Sequence, residues 1–231
     1  VKAEINTEIC VSCGKCADVC RFSAIEKLPM MRVNPLDCEG CGYCYHVCPV
    51  QAIHLPIQRV GKCYVSDTRF ACTLVHAKLG IGADNSGKLV AKVKREAKQA
   101  ALKEKKDYIL VDGSPGIGCP VISSLSGASF VLLVTEPSLS ALDDVTRVWK
   151  LVNKFGIPAG CIINKADINP EVADRILMFL SKNGIAHISN LPYDEDFHKA
   201  ITEGMNLIEY NRNKWYPIFK RIWNLVSKEE I

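Results

Sequence analysis

Eight cysteines crowd into the first 48 residues of this 231-residue chain, and their spacing is that of a ligand set. Residues 10–20 read C-x-x-C-x-x-C-x-x-x-C at Cys10, Cys13, Cys16 and Cys20, and residues 38–48 repeat the pattern at Cys38, Cys41, Cys44 and Cys48. Three thiolates two residues apart in a tight loop can cap three irons of a cubane, while the fourth, farther on, points away and completes a second cluster. The geometry assigns Cys10, Cys13, Cys16 and Cys48 to one [4Fe-4S] cluster, and Cys38, Cys41, Cys44 and Cys20 to another. Zinc seldom uses this three-plus-one spacing. Gly14, Gly40 and Gly42 fit loops whose N–H groups turn toward sulfide and stabilise the anionic cluster. The first repeat ends Cys20-Arg21 where the second ends Cys48-Pro49. Neither Arg21 nor Pro49 is a ligand, so the difference leaves cluster binding intact.

The elements that position these ligands arise from duplication: Ile5-Asn6 returns as Val33-Asn34, and Ala24-Ile25 as Ala52-Ile53. After Ile57 the cysteine pattern stops, which sets expected domains at 1–57 and 58–231. With 48% hydrophobic and 23% charged residues the chain can bury a real core. Its 29 basic and 25 acidic residues are too evenly balanced to argue for nucleic acid or an acidic membrane surface. No apolar run approaches the roughly 18 residues of a membrane span, and the first ten residues, VKAEINTEIC, lack the charged and apolar zones of a signal peptide. The expectation is a soluble, cytoplasmic protein. Beyond residue 107, strand-like runs at Tyr108–Val111, Phe130–Thr135, Cys161–Asn164 and Ile185–Ser189 alternate with helical patterns near 87–105, 120–127, 139–155 and 170–182. That alternation predicts a parallel α/β sheet.

Ligands of such sheets gather at the carboxyl ends of the strands. There the sequence offers Asp112-Gly113-Ser114-Pro115-Gly116-Ile117-Gly118, Asn164-Lys165 and Leu191-Pro192-Tyr193-Asp194. An aspartate that closes an apolar strand and leads into glycines suits a Mg²⁺-organising carboxylate. In this order, YILVDGSPGIGCPVI, VLLVTEPSLSALDD, INKAD and LPYDEDF resemble the MinD/ParA-type P-loop ATPases, and the cysteine module resembles the ferredoxin insertion of one branch of that group. The resemblance implies an incomplete, mostly parallel sheet of the P-loop NTPase type joined to a small α+β ferredoxin-like domain. It further implies an ATP-dependent homodimer, with Asp112 as the Walker B carboxylate, Gly116 as a switch glycine, and Asn164 and Pro192 near adenine. ATP and Mg²⁺ join the two clusters as expected cofactors, and an iron-sulfur or redox protein is the expected partner.

Nothing upstream of Cys10 resembles the family's glycine-rich phosphate loop, which normally precedes the insertion, so an N-terminal truncation is expected, with hydrolysis beyond this chain alone. The stretch Gly82-Ala83-Asp84-Asn85-Ser86-Gly87-Lys88-Leu89 fits G-x-x-x-x-G-K, yet ends in Leu where the Mg²⁺ hydroxyl belongs. Ser86 is better read as a helix cap. Cys119 follows Asp112 at the offset of a cluster ligand in the related nitrogenase iron protein; its default reading is a buried, inert thiol. Cys63, Cys72 and Cys161 form no pattern. The basic residues from Lys88 to Lys106 are read as a solvated helix face. The stripe Trp215, Ile218, Phe219, Ile222, Trp223 and Val226 is read as docking on the protein's own sheet rather than on a membrane. The function expected is nucleotide-controlled electron transfer or cluster delivery, with a plain electron carrier as the alternative.

Overall fold

The structure, a computed structural model, describes residues 1–27, 29–57, 61–80 and 86–227. Two compact units divide the chain, Val1–Asn85 and Ser86–Ile231. The boundary expected after Ile57 falls beside residues 58–60, which lie outside the described ones.

The first unit builds duplicated halves from β1 (Glu4–Ile5), α1 (Lys15–Asp18), β2 (Ile25–Glu26), β3 (Arg32–Val33), α2 (Tyr43–Val47) and β4 (Ile53–His54). Strand β1 pairs antiparallel with β4, and β2 with β3, so each half lends a strand to the other. The sequence repeat returns in the hydrogen bonds. Asn6 N donates to Ala52 O and Asn34 N to Ala24 O, both at 2.7 Å. The Asn6 side chain accepts from Glu8 N, and the Asn34 side chain from Leu36 N, each closing a turn of the kind Asn favours. Gly14 and Gly42 both adopt φ +78° at the starts of α1 and α2, a left-handed geometry that glycine takes without strain. A hairpin follows, β5 (Gly61–Asp67) with β6 (Thr73–Leu79), in which Tyr64 stacks on His76 at 5.2 Å between centroids.

The second unit runs α3 (Gly87–Glu104), α4 (Cys119–Leu125), β7 (Val131–Thr135), α5 (Leu139–Lys154), β8 (Ala159–Ile163), α6 (Pro170–Lys182), β9 (Ala186–Asn190), α7 (Asp196–Thr202), α8 (Leu207–Tyr210) and α9 (Arg212–Ser227). The sheet is parallel in the order β7-β8-β9. Central β8 is buried along its whole length, as befits a parallel strand covered on both faces. Its alternation sends Ala159, Cys161 and Ile163 into a core with Val145 and Val152 of α5 and Val172, Ile176 and Leu180 of α6. Ile162 points the other way and packs with Ile188, Leu191 and Ile222. Side-chain caps start the helices: Ser86 accepts from Leu89 N, Ser138 from Ala141 N and Asn169 from Val172 N. Asn206 and Glu209 close a reciprocal capping box on α8.

The helices expected from sequence form within a residue or two of their predicted ends, and the aromatic stripe docks through Trp215, fully buried, and Ile222. One strand does not form. Tyr108–Val111 is in no sheet, and all four side chains are exposed, Leu110 at 93%. A strand is held by a ladder partner, and among the described residues none lies beside this one. Cys119 corrects a second expectation: it is exposed, because it stands in the first turn of α4 rather than on a core-facing position. Of the G-x-x-x-x-G-K stretch, residues 82–85 lie outside the described ones; Ser86 serves as the helix cap.

Candidate functional site

Two cavities open in the first unit, and each collects one crossed cysteine set. The larger, about 370 Å³ counting the solvent space at its mouth, is lined by Cys38, Cys41 and Cys44 of the second repeat together with Cys20 of the first. The other, about 310 Å³, is lined by Cys10, Cys13 and Cys16 together with Cys48. The crossing is a product of chain direction. The third cysteine of each repeat lies inside a short helix, Cys16 in α1 and Cys44 in α2, and the fourth stands at or just past that helix's C-terminal end, where it lines the cavity of the other repeat.

The donor chemistry fits a cluster at both places. Four cysteines line each void, the number that a [4Fe-4S] cubane takes. Backbone N–H groups already reach two of the sulfurs: Ala3 N lies 3.4 Å from Cys38 Sγ and Ala52 N lies 3.3 Å from Cys48 Sγ. Donors of this kind offset thiolate and sulfide charge. These alanines escaped the sequence reading as site residues, although the repeated Ala-Ile pair marked Ala52. Small side chains are needed there: Ala24 and Ala52 are almost wholly buried beside the cavities. Burial pushes the thiols of Cys16 and Cys44 up from their ordinary value. Iron takes the thiolate, so loading these cavities releases protons.

In the second unit the carboxyl ends of the three strands are laced together. Asn164 N donates to Thr135 O at 2.7 Å, Leu191 N to Ile163 O at 2.9 Å, and Ala166 N to Leu191 O at 2.9 Å. Asn164, half-buried, thereby sits beside the loop that carries the exposed Pro192. Lys165, at φ +52°, extends its ammonium to Glu136 at 3.1 Å across the end of β7. Asp112 and Gly116 stand on a separate exposed loop that runs into α4, and Gly116 holds φ +86° with no atom within 4 Å of where a Cβ would be. The structure therefore gathers Asn164 with Pro192, and Asp112 with Gly116, as two groups at loop positions.

The acids of the LPYDEDF stretch have work of their own. Asp194 pairs with Lys214 of α9, and Asp196 accepts from Lys214 Nζ at 3.1 Å, Trp215 Nε1 at 2.9 Å and Asn211 Nδ2 at 3.3 Å. Lys214 holds the Asp194 carboxyl below its ordinary pKa, and the Trp215 N–H does the same for Asp196. This network bolts α9 to the end of β9 and so fixes the loop that bears Pro192.

Comparison with known proteins places both halves. Residues 3–55 match the model of the 4Fe-4S dicluster domain family. Over 208 residues, 90% of this chain and 68% of the relative, the sequence is 33% identical to the uncharacterized protein MJ0578 of Methanocaldococcus jannaschii. Over 110 residues, 46% of this chain and 41% of the relative, it is 26% identical to the uncharacterized ATP-binding protein MJ0169 of the same organism. Among solved structures, the septum site-determining protein MinD of Pyrococcus horikoshii, complexed with Mg-ADP, matches 64% of this chain and 58% of its own length at a TM-score of 0.50 and 24% identity. That likeness shows the fold: the α/β part is MinD-like, and β7-β8-β9 is its parallel core.

Proposed function

For a chain that belongs to the family of MJ0578, and so sets a 4Fe-4S dicluster domain on a MinD/ParA-like P-loop ATPase scaffold, we propose that nucleotide state governs electron transfer through two [4Fe-4S] clusters, or their delivery to a partner. The observation that carries this reading is the sorting of eight thiols into two crossed cavities on the same chain as the laced strand ends. Bound clusters would supply one-electron chemistry. The chain's own residues would hold them, with four sulfurs each and the amides of Ala3 and Ala52 toward sulfur, Cys16 and Cys44 on the buried side and Cys13 and Cys41 on the exposed side.

In the second unit, Asp112 is the group to organise Mg²⁺ waters, Gly116 the backbone position free to turn toward a phosphate, and Asn164 with the Pro192 loop the surface for a purine. The similarity to the ATP-binding protein MJ0169 supports ATP as the nucleotide. A homodimer, and an iron-sulfur or redox protein as partner, belong to the same proposal. A second reading, a plain two-cluster carrier on an inactive scaffold, is favoured by one specific observation: Asp112 follows a segment that is unpaired and exposed.

Anaerobic reconstitution followed by iron analysis and Mg-ATP titration separates the two. Both this chain and a form extended at its N-terminus are titrated. The nucleotide reading expects eight irons and ATP binding in the extended form, weakened by Asp112→Asn; eight irons with no ATP binding in either form leaves only the carrier.

A further inference from the structure

Helix α3 buries none of its residues completely, yet one face of it is fastened to α4 with unusual economy. At its start, Gly87 leaves no room for a side chain: a Cβ would stand 2.9 Å from the carbonyl oxygen of Cys119 and 3.1 Å from Ser123 Oγ. Ser123 Oγ donates to Gly87 O at 2.8 Å. Two turns on, Lys94 Nζ donates to the carbonyls of Ser123, Ser124 and Ser126 at 3.0, 2.6 and 2.7 Å. An ammonium carries three N–H bonds, and here all three end on the last turn of one helix. These are carbonyls that a helix terminus leaves without intrahelical partners, and the negative end of its dipole adds to the attraction. Burial pulls Lys94 below the ordinary lysine range, a cost that the three acceptors offset.

The position of this clamp gives it meaning. The glycine-rich loop from Asp112 to Gly118 runs directly into the N-terminus of α4, and both Gly113 and Gly116 have open space around them. Ser86, which caps α3, is the first residue of the second unit, so the chain arrives from the cysteine-bearing unit at the start of this helix.

We propose that Lys94 is a positioning residue that locks α3 and α4 into one body, so that a rearrangement of the Asp112–Gly118 loop is carried to α3. The proposal rests on the nucleotide reading of that loop for its purpose, and its test is built to stand apart from nucleotide. Hydrogen exchange followed by mass spectrometry is measured on the cluster-loaded chain and on Lys94→Met, Lys94→Arg and, as an exposed control on the same helix, Lys92→Met. Loss of hydrogen bonds from a charged donor is expected to speed exchange about tenfold or more in both α3 and the last turn of α4 in Lys94→Met. Lys94→Arg, which keeps the donors, restores most of the protection, and Lys92→Met changes nothing.

Transmission is read from Gly116→Ala, whose positive φ an alanine resists. It alters α3 exchange when Lys94 is present and leaves α3 unchanged in the Lys94→Met background. A Lys94→Met protein that loosens only one helix or behaves like Lys92→Met, or an α3 response to Gly116→Ala that is absent or is the same in both backgrounds, overturns the proposal. Failure of Mg-ATP to protect residues 112–118 of the extended form would instead count against the nucleotide reading alone.

Discussion

A cysteine's role in this chain is decided by where its loop points rather than by its neighbours in sequence. Cys20 lies four residues from Cys16 and Cys48 four from Cys44, yet each lines the cavity of the opposite repeat. This makes a sharp prediction. With Cys10, Cys13 and Cys16 replaced by alanine, about four irons should remain, half the full load. Adding Cys20→Ala should then destroy the surviving cluster, while adding Cys48→Ala should spare it; iron analysis and EPR give the answer, and the opposite sensitivity would mean local ligation. Cys161 marks the contrast. It is wholly buried in the central strand, and burial pushes its thiol up to about 12. Alkylation of the native protein at pH 8 should therefore leave Cys161 unmodified, with labelling only after denaturation, as mass spectrometry of the peptides will show. At this scale the sequence was transparent for the grouping of the eight cysteines around two cavities, because metal ligation demands fixed residue types at fixed spacing. It was opaque for Ala3 and Ala52, whose contribution is a backbone amide that any residue type possesses, and for Cys119, whose exposure depends on where α4 begins.

Elements were legible where a helix or strand carries its own signal and illegible where it borrows one. Helices α5 and α6 announce themselves by caps at Ser138 and Asn169 and by apolar spacing, and both form as read. Tyr108–Val111 has strand composition, but pairing is a property of two segments, and composition reports on one. The β5–β6 hairpin was missed although it carries a signal: Val75-His76-Ala77-Lys78-Leu79 alternates apolar and polar residues, and Cys63 and Val65 face Ala77 and Val75 across the ladder. Packing at the centre of the sheet yields a mutational test. A Cβ at Gly160 would come within 2.6 Å of Ile188 Cγ1 and 3.1 Å of the Phe130 ring, so Gly160→Val should destabilise the protein by about 1–3 kcal/mol in denaturant unfolding. A loss under a few tenths would show that the α9 side of the sheet accommodates the extra volume.

The anchor of α9 responds to acid. Because Asp194 and Asp196 are depressed by their partners in the folded protein, the stability they contribute is complete above the unfolded carboxylate pKa of about 4 and disappears as pH falls through the depressed folded values. Tryptophan fluorescence should report loosening of α9 below about pH 4 in the wild type. In Asp196→Asn that acid step should shrink, with α9 already less firmly held at neutral pH.

At the scale of the whole molecule, a 4Fe-4S dicluster domain and a MinD-like α/β unit share one chain. Duplicated halves exchange strands and fourth cysteines, so neither cysteine-lined cavity is complete without both repeats. The second unit places Asn164 and Pro192 by hydrogen bonds between adjacent strand ends, on a scaffold whose MinD-like topology the sequence order of motifs had already implied. What the sequence could not convey was the second use of LPYDEDF: its acids hold α9, a long-range contact invisible until the chain is folded. Among the described residues no helix is long and apolar enough to cross a membrane; α9 docks on the sheet through Ile222, Ile218, Phe219 and Val226, while Trp223 stays 45% exposed beside Tyr108.

The central claim is that nucleotide state changes what the clusters do. Its most direct test is a redox titration, followed by EPR, of the cluster-loaded protein in its N-terminally extended form with and without Mg-ATP. Coupling predicts that Mg-ATP moves the midpoint potential of at least one cluster, and a shift of about 60 mV would correspond to a tenfold difference in nucleotide affinity between oxidised and reduced protein. Identical potentials and identical electron-transfer rates, at Mg-ATP concentrations shown to saturate binding, would contradict the account and leave a two-cluster carrier resting on an ATPase fold.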